Sequence, residues 1–554
     1  MSTLFTNARI FLSGVEPGTN PSPTSPPQFA SALLIQDSVI TAVGSPSTSP
    51  LISSALTSPS TTIHDLGGKT ILPGFVDGHM HLMLLGQSLR KLDLGGCKNL
   101  SEIQETIRLY AREHAEVERI LCRNWMWSQT PDGVTAKDLD GLDVEGMDRA
   151  VLVDTKDLHS AWCNTRGIAE LGAEGWADVP GGIIERDGEG KVTGVFSESA
   201  NITYVWPYLA SVASMGERMG AIKAAVVAYH AAGYTGMVDM AMDEGAWEAL
   251  LALREESGTG GFGMRVAAYW LVRPSKTREE NLRQVERAAE LAGRYNKDTT
   301  PDCRVVGIKV IGDGIIDACT AGLSEPYEHD GRGTFPMWTR EELTPVVKRA
   351  DELGLQVALH AIGDETIKMA VDVLAENVSP TRRPRIEHIE LASKEDAERL
   401  GKFGITASIQ PVHADPAILR AWPRLIGAHR CKRAFAYREF ADGGAPLALG
   451  SDAPTAPHSP LGNLYVGTTR RSYREPECTE VVNEHFALGL CEAVAAATEG
   501  AAYSCFDEGR VGRLQVGLKA DFVVVDMAWE KERLLEARMK ETWFDGKRVW
   551  KSEE

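Results

Sequence analysis

The sequence predicts an α/β protein: a (β/α)8 TIM barrel, a composite β-sandwich domain formed by both termini, and a long insertion after strand 1. Three observations predict it. The middle of the chain alternates short apolar runs with amphipathic helices, the pattern of a parallel sheet. The runs number eight, as a closed barrel requires. Strand-like segments also lie at both ends, neither long enough to bury a core alone. A doubly wound open sheet shares the alternation and is the competing arrangement.

Residues 1–68 read as the N-terminal part of the sandwich. Leu4 to Leu12 and Ala32 to Val43 are strand-like, the second with a turn at Asp37-Ser38. The Pro/Ser/Thr-rich stretches Gly18 to Pro27 and Ser45 to Ser60 are expected to be mobile loops. The partner strands are expected in residues 506–554. There Val511 to Asp521 leads into an apolar strand, Phe522 to Asp526, and Trp543 to Trp550 reads as a hairpin about Asp545-Gly546.

The barrel is expected over residues 69–505. Its strands are Ile71 to Asp77, Gly236 to Asp239, Met264 to Val272, Val305 to Ile311, Gln356 to His360, Arg385 to Glu390, Ile405 to Gln410 and Pro446 to Gly450. Arg340 to Leu353, Asp364 to Glu376 and Lys394 to Phe403 are helices between later strands. The gap from His81 to Gly236 is too long for a simple connection and holds an insertion over about 84–215. A helix at Leu100 to Val117, a Trp-rich piece and a hairpin at Gly181 to Gly194 are expected in it.

With 554 residues, 43% hydrophobic and 24% charged, the chain has the composition of a soluble globular protein. Its net charge of -19 argues against nucleic acid or an anionic membrane surface as the main partner. No apolar run approaches the ~20 residues that span a bilayer. The start lacks the basic and apolar regions of a secretory signal. Nine scattered cysteines, with no Cys-x-x-Cys, read as reduced thiols of a cytoplasmic protein.

Function is read from the strand ends. The first run closes in Gly78-His-Met-His81, and alternation along a strand puts His79 and His81 on one face. Two imidazoles so placed are a ready pair of metal ligands. Strand four carries Lys309, strand five ends at His360, strand six holds His388, and strand eight runs into Asp452. Each has a bland reading alone, as solvated charge, core histidine or helix cap. Six such groups on one rim point to a metal centre.

Leu72-Pro-Gly-Phe-Val-Asp-Gly-His-Met-His81, Asp157-Leu-His-Ser-Ala-Trp-Cys-Asn164, Gly181-Gly with Gly194 and Glu198, and Lys309 through Asp313-Gly314 form an ordered series. It continues through Thr320-Ala321, Pro326-Tyr327, His360-Ala-Ile-Gly-Asp364, Glu387-His388, Gln410-Pro411 with His413, Gly450-Ser-Asp-Ala-Pro454 and Gly517-Leu-Lys-Ala-Asp521. By these motifs, over nearly its whole length, the chain resembles the amidohydrolase superfamily. Within it the chain is similar to amidohydrolase family 3, the YtcJ-like metal-dependent hydrolases that include N-substituted formamide deformylase. It departs from that pattern in its longer N-terminal loops and at Arg123-Asn-Trp-Met-Trp127, where a Gly-x-x-Trp piece is usual.

The resemblance implies one or two divalent cations, most often Zn2+, in a barrel with a composite sandwich. His79, His81 and Asp452 would hold one ion, and His360 and His388 the second. A carboxylated Lys309 would bridge them, since burial exposes the free amine that CO2 requires. Imidazole and carboxylate suit Zn2+, and Mn, Fe, Co or Ni fill the same ligands. The expected reaction is attack of metal-activated hydroxide on a non-peptide C–N bond, in an amide, N-formyl or N-acyl compound. Asp452 would move the proton to the leaving nitrogen.

Trp125, Trp127, His159, Asn164, Gln410 and His413 are the expected substrate contacts. Together they suit a neutral or partly aromatic small molecule. Asp239 reads as structural. Two other readings stay open: decarboxylase, lyase or isomerase chemistry on the same barrel, and a non-catalytic binding homologue. The second would be expected to have lost ligands, yet all six positions are filled. A homodimer is compatible with the architecture.

Overall fold

The structure, a computed structural model, describes residues 2–156, 160–179, 182–198, 200–258 and 261–553. The chain divides into two units, residues 1–82 with 226–554, and residues 83–225.

In the first unit eight strands neighbour one another in chain order. They are Phe75–Met80, Tyr234–Met242, Arg265–Val272, Cys303–Ile311, Gln356–Ala361, Arg385–His388, Thr406–Ile409 and Leu447–Leu449. Every pairing between them is parallel. The result is a nearly closed barrel, with helices Arg340–Glu352, Asp364–Asn377 and Lys394–Lys402 between later strands.

The ends of the row meet at a seam rather than a ladder. Asp452 N donates to His79 O at 2.7 Å, and His81 N to Ala453 O at 2.9 Å. Glycines permit this approach: a Cβ on Gly78 would lie 2.7 Å from the Leu449 carbonyl oxygen, and one on Gly450 would lie 2.4 Å from His79 N. The seam therefore holds candidate ligands of the first and eighth strands side by side. Behind them Val76, Val238, Met240, Ala267, Tyr269 and Ala358 pack with Ala501, Ala502, Cys505 and Val511, making the interior a core rather than a pore.

Two departures from the expected strand bounds bear on the site, the others being shifts of one to three residues at strand ends. Thr70–Pro73 belongs to a terminal sheet, pairing with Arg9–Leu12 and Phe522–Asp526, and the barrel strand begins only at Phe75. The sixth strand stops at His388 instead of Glu390, because His388 and Ile389 take φ values of 72° and 55°, which no strand sustains.

The terminal segments form two sheets. One orders Val39–Gly44, Ala32–Gln36, Ser2–Thr6 and Thr61–Asp65. The other runs Lys547–Lys551, Arg538–Phe544, Phe522–Asp526, Thr70–Pro73, Arg9–Leu12 and Gln28–Ala30, so the two ends of the chain share it. Phe5, Leu33 and Ile40 of the first sheet cluster with Ile10, Ile71, Phe522, Val524 and Trp543 of the second. The Phe5 ring stands edge-on to Phe522 and to Trp543, each at 5.0 Å. Asp545 and Gly546, both with positive φ, form the expected hairpin turn.

The stretch Ser45 to Ser60 is not a loop throughout. It contains the helix Pro50–Thr57, with Pro50 in its first turn and the Ser49 hydroxyl accepting from Ile52 N. Ile52 and Ala55 turn inward against Leu4, Ala32, Leu34 and Ala42. A Pro/Ser-rich composition hid a capped amphipathic turn.

The second unit is a six-stranded sheet ordered Gly182–Arg186, Val192–Glu198, Ser160–Cys163, Ala150–Thr155, Arg119–Trp125 and Leu92–Asp93. Its first two strands are the expected hairpin. Helix Leu100–Glu113 is capped by Asn99 and buries Ile103, Ile107 and Ala111, one face at helical spacing. Among the described residues no helix is long and apolar enough to cross a membrane. All nine cysteines are free.

Candidate metal centre

The site lies where the barrel strands end, and all its residues belong to the first unit. His79 and His81 both turn Nε2 toward one oxygen: Asp452 Oδ1 lies 3.3 Å from the first and 3.0 Å from the second. The group satisfies the spacing of three ligands to one cation. Asp452 takes a left-handed φ of 57°, which aims its carboxylate back at the first strand. Its other oxygen, Oδ2, accepts from Thr455 Oγ1 at 2.9 Å. Burial would push this carboxyl up, but His79 and His81 hold it well below the usual carboxylate range.

His79 is oriented from behind. Its Nδ1 lies 2.7 Å from Glu387 Oε2, and both side chains are buried. With Nδ1 donating, Nε2 carries the lone pair and faces Asp452. Glu387 is fixed in turn by Arg385, whose Nε donates to Oε1 at 2.6 Å and whose Nη2 donates to Oε2 at 3.1 Å. The same guanidinium reaches Gly78 O, Ser408 Oγ and Ser504 Oγ. Burial opposes the charge on Glu387, yet Arg385 and His79 keep its carboxyl below the usual range. Arg385 and Glu387 alternate on one face of the short buried strand Arg385–His388. That pattern was a readable signal which the strand-end reading passed over.

Asp77 underlies the seam. It accepts from Ser451 N and Oγ, His79 N and Tyr229 Oη, a buried clamp on both sides of the closure. Asp239 accepts from Leu82 N at 2.9 Å, in keeping with a structural role. Asp313 accepts from Gly322, Ile362 and Gly363 N, joining the turns after strands four and five.

The remaining expected ligands gather on the same wall. Register places Ile311 beside His360 and Ala361 beside His388, stepping Lys309, His360 and His388 around the barrel. The His388 ring centroid is 4.3 Å from that of His360 and 5.0 Å from that of His79. His413 stacks on His388 at 5.7 Å, with Nε2 3.6 Å from Asp452 Oδ2 and Nδ1 3.6 Å from Glu390 Oε1. Burial pulls the Lys309 ammonium down to about 8 against the charges of Glu387 and Asp452, and the His360 imidazole down to about 3.

These residues fit a divalent cation. Lys309 Nζ, His360 Nε2 and His388 Nδ1 are buried without a hydrogen bond. Leaving such atoms unsatisfied costs about 1–3 kcal/mol each, so a wall that keeps three of them suits something that engages them. Imidazole nitrogens and a carboxylate are the donors that borderline cations such as Zn2+ take.

The expected substrate contacts divide. Gln410 is buried at the end of strand seven with Oε1 lacking a hydrogen bond, and His413 joins the centre as described. Two expectations are corrected by packing within the second unit. Trp125 is fully buried, its indole donating to Thr130 Oγ1 and its ring packed on Trp162, so it has no free face for a substrate. Asn164 caps helix Thr165–Leu171, accepting from Gly167 N and Val151 N and donating to Arg149 O, which uses its polar capacity in the fold. Trp127 is 43% exposed and packs on Trp125. His159 lies outside the described residues.

A parallel barrel that gathers histidines and a carboxylate around one point at its strand ends defines a metal-dependent hydrolase. The model of the amidohydrolase family matches residues 62–550, and the chain belongs to that family of hydrolases acting on carbon–nitrogen bonds. It is 27% identical to YtcJ of Bacillus subtilis (strain 168), covering 94% of this chain and 96% of that protein. It is 23% identical to N-substituted formamide deformylase of Arthrobacter pascens, covering 88% and 90%. A metal-dependent hydrolase of Pyrococcus furiosus superposes with a TM-score of 0.76 at 25% identity, covering 96% of this chain and all of that one. The resemblance read from the motifs is thereby borne out at family level.

Proposed function

We propose that this protein hydrolyses a non-peptide C–N bond of a small amide, N-formyl or N-acyl compound, at a centre holding one or two divalent cations, with Zn2+ first among them. The observation that carries the reading is the convergence of His79 and His81 on one oxygen of Asp452, with Glu387 fixing His79 from behind. Similarity to a formamide deformylase supports the choice of bond.

His79, His81 and Asp452 would hold the first cation, and Lys309, His360 and His388 complete the expected set. A cation bound there would lower the pKa of a water molecule and polarise a carbonyl. Asp452, kept ionised by its histidines, would take the proton of the attacking water and return it to the leaving nitrogen. Thr455 holds its second oxygen in place during that exchange. Gln410 offers an unpaired buried acceptor for an amide N–H, and Trp127 and His159 remain candidate contacts. A carboxylated Lys309 is supported by its buried, weakly basic amine.

In this reading residues 69–505 are the catalytic barrel with its insertion at about 84–215, and residues 1–68 with 506–554 are a composite sandwich. The enzyme would act in the cytoplasm on a small molecule. Elemental analysis of protein purified without chelator tests the centre. Bound zinc, lost in His79→Ala, supports it. A chain that binds no divalent cation even after zinc is added does not perform this chemistry.

A further inference from the structure

We infer that Ile311, Ile315 and Met337 form an apolar lip beside the metal centre, which seats a hydrocarbon tail of the substrate and sets its selectivity. The inference deepens the reading of this rim as a metal-dependent hydrolase site and rests on it. The expected substrate contacts included none of the three.

Three observations carry it, and position comes first. Along strand four, alternation puts Lys309 and Ile311 on one face and Ile308 and Val310 on the other. Ile308 and Val310 are fully buried, whereas Ile311 is 36% exposed. Register sets Ile311 beside His360, on the same side of the sheet. Ile311 therefore stands next to a candidate ligand, two residues further toward the strand end than Lys309.

Apolar exposure is also concentrated here. Ile311, Ile315, Phe335 and Met337 are exposed large apolar side chains, and all lie between the last residue of strand four and helix Arg340–Glu352. Contiguous exposed apolar surface on a soluble protein marks a place of contact. Met337 returns to the strand end, its N donating to Gly312 O at 2.7 Å. Gly312 N in turn donates to His360 O at 3.0 Å.

Finally, the turn that carries Ile315 is fixed in advance. Ile315 N donates to Thr320 Oγ1 at 3.1 Å, and Ile315 O accepts from Thr320 N at 3.1 Å. Gly314 N closes the same turn onto Thr320 O. Asp313, two residues before Ile315, places Oδ1 3.5 Å from His360 Nε2. Two residues after it, Asp317 Oδ2 accepts from Trp422 Nε1 at 3.4 Å. A surface held in this way loses little conformational freedom when a ligand covers it.

The chemistry of the lip names its occupant. Isoleucine and methionine side chains offer nothing to a charged group, so they recognise hydrocarbon. Each methylene buried there should strengthen binding by about fourfold. The substrate class is an amide that carries an uncharged alkyl or arylalkyl group on its carbonyl carbon or its nitrogen.

The test uses the zinc-loaded full-length protein and two isomeric series of metal-binding probes, alkyl hydroxamic acids and N-alkyl-N-hydroxyformamides. One series carries its tail on the carbonyl carbon, the other on nitrogen. Affinity is measured by calorimetry from methyl to hexyl tails, for wild type, Ile311→Ala, Ile315→Ala, Met337→Ala and Val516→Ala. Zinc content and circular dichroism are checked for each. The expected result is about fourfold tighter binding per methylene in at least one series, and that series shows which side of the amide bears the tail. The gain should fall to about twofold or less in the three lip variants. Val516 is exposed and apolar but lies in the C-terminal segment, so Val516→Ala should keep the wild-type gain. Zinc-bound protein whose affinity is flat with tail length in both series, or that binds neither, would overturn the inference. So would a gain that all three lip variants leave untouched. Sedimentation covers another occupant: a wild-type dimer that Ile311→Ala or Met337→Ala dissociates would make the lip a contact between copies. Protein that holds no zinc would overturn the metal-centre reading, and the inference with it.

Discussion

Glu387 and His79 share a 2.7 Å contact in the closed interior of the barrel, 308 positions apart in the chain. That contact sets which nitrogen of His79 is free, and so makes the first strand a ligand strand. Partners of this kind typically contribute 10–100-fold in metal affinity, as ligand orientation and basicity depend on them. Glu387→Gln keeps the shape and can still accept from Nδ1, but removes the charge. Zinc affinity measured by chelator competition is expected to fall by roughly 10-fold or more, with secondary structure unchanged. Unchanged affinity would make Glu387 a packing residue.

Arg385 makes the more severe prediction. It is fully buried and is the cation that lets Glu387 stay ionised. Arg385→Met would leave the buried Glu387 carboxylate without its guanidinium and with only the His79 contact, a loss of about 3–5 kcal/mol where one partner of a buried pair is removed. Urea unfolding should show it. The double variant Arg385→Met with Glu387→Leu should recover part of the loss, since no buried charge is then left alone.

Ser49→Ala tests the helix that composition concealed. Its hydroxyl accepts from Ile52 N, and loss of such a cap costs about 1 kcal/mol. Faster amide exchange confined to residues 50–57 is expected, with catalysis unaffected. A mobile loop would show no difference between the two proteins.

Lys309 predicts a pH dependence. Burial brings its ammonium down to about 8, so the free amine predominates above that value and the ammonium below it. Only the free amine combines with CO2, so a carbamate should grow as pH rises through 8. Carbon-13 NMR with labelled bicarbonate checks this: a carbamate signal stronger at pH 9 than at pH 6.5, absent in Lys309→Ala. No signal at either pH would remove the carbamate from the account.

Much of the barrel and its ligands was legible because several of the short apolar runs carry a chemically distinct residue at or near their ends. Lys309, His360, His388 and Asp452 stand out against Val, Ile, Leu and Ala, and period-two alternation put His79 with His81. The eight-strand pattern survived the same test, apart from Ile71 and Leu72, which end in another sheet. What stayed hidden depends on contacts between distant residues. Arg385 and Glu387 matter because of His79, which lies on another strand. Glu390 was absorbed into a strand that the left-handed His388 and Ile389 had already ended. Trp125 and Asn164 looked like pocket residues because residue type does not reveal burial or capping.

The most direct test of the central claim is product analysis with metal-loaded, chelator-stripped and zinc-restored enzyme on a panel of N-substituted formamides and N-acyl amines, with Asp452→Asn alongside. The account predicts amine and carboxylic acid released in equal amounts by loaded enzyme, lost on stripping and regained with zinc. Asp452→Asn should be slower by roughly 10²–10⁴-fold, the range a positioned acid–base group contributes. Release that is indifferent to metal, or carbon dioxide or an isomer in place of amine and acid, would contradict it.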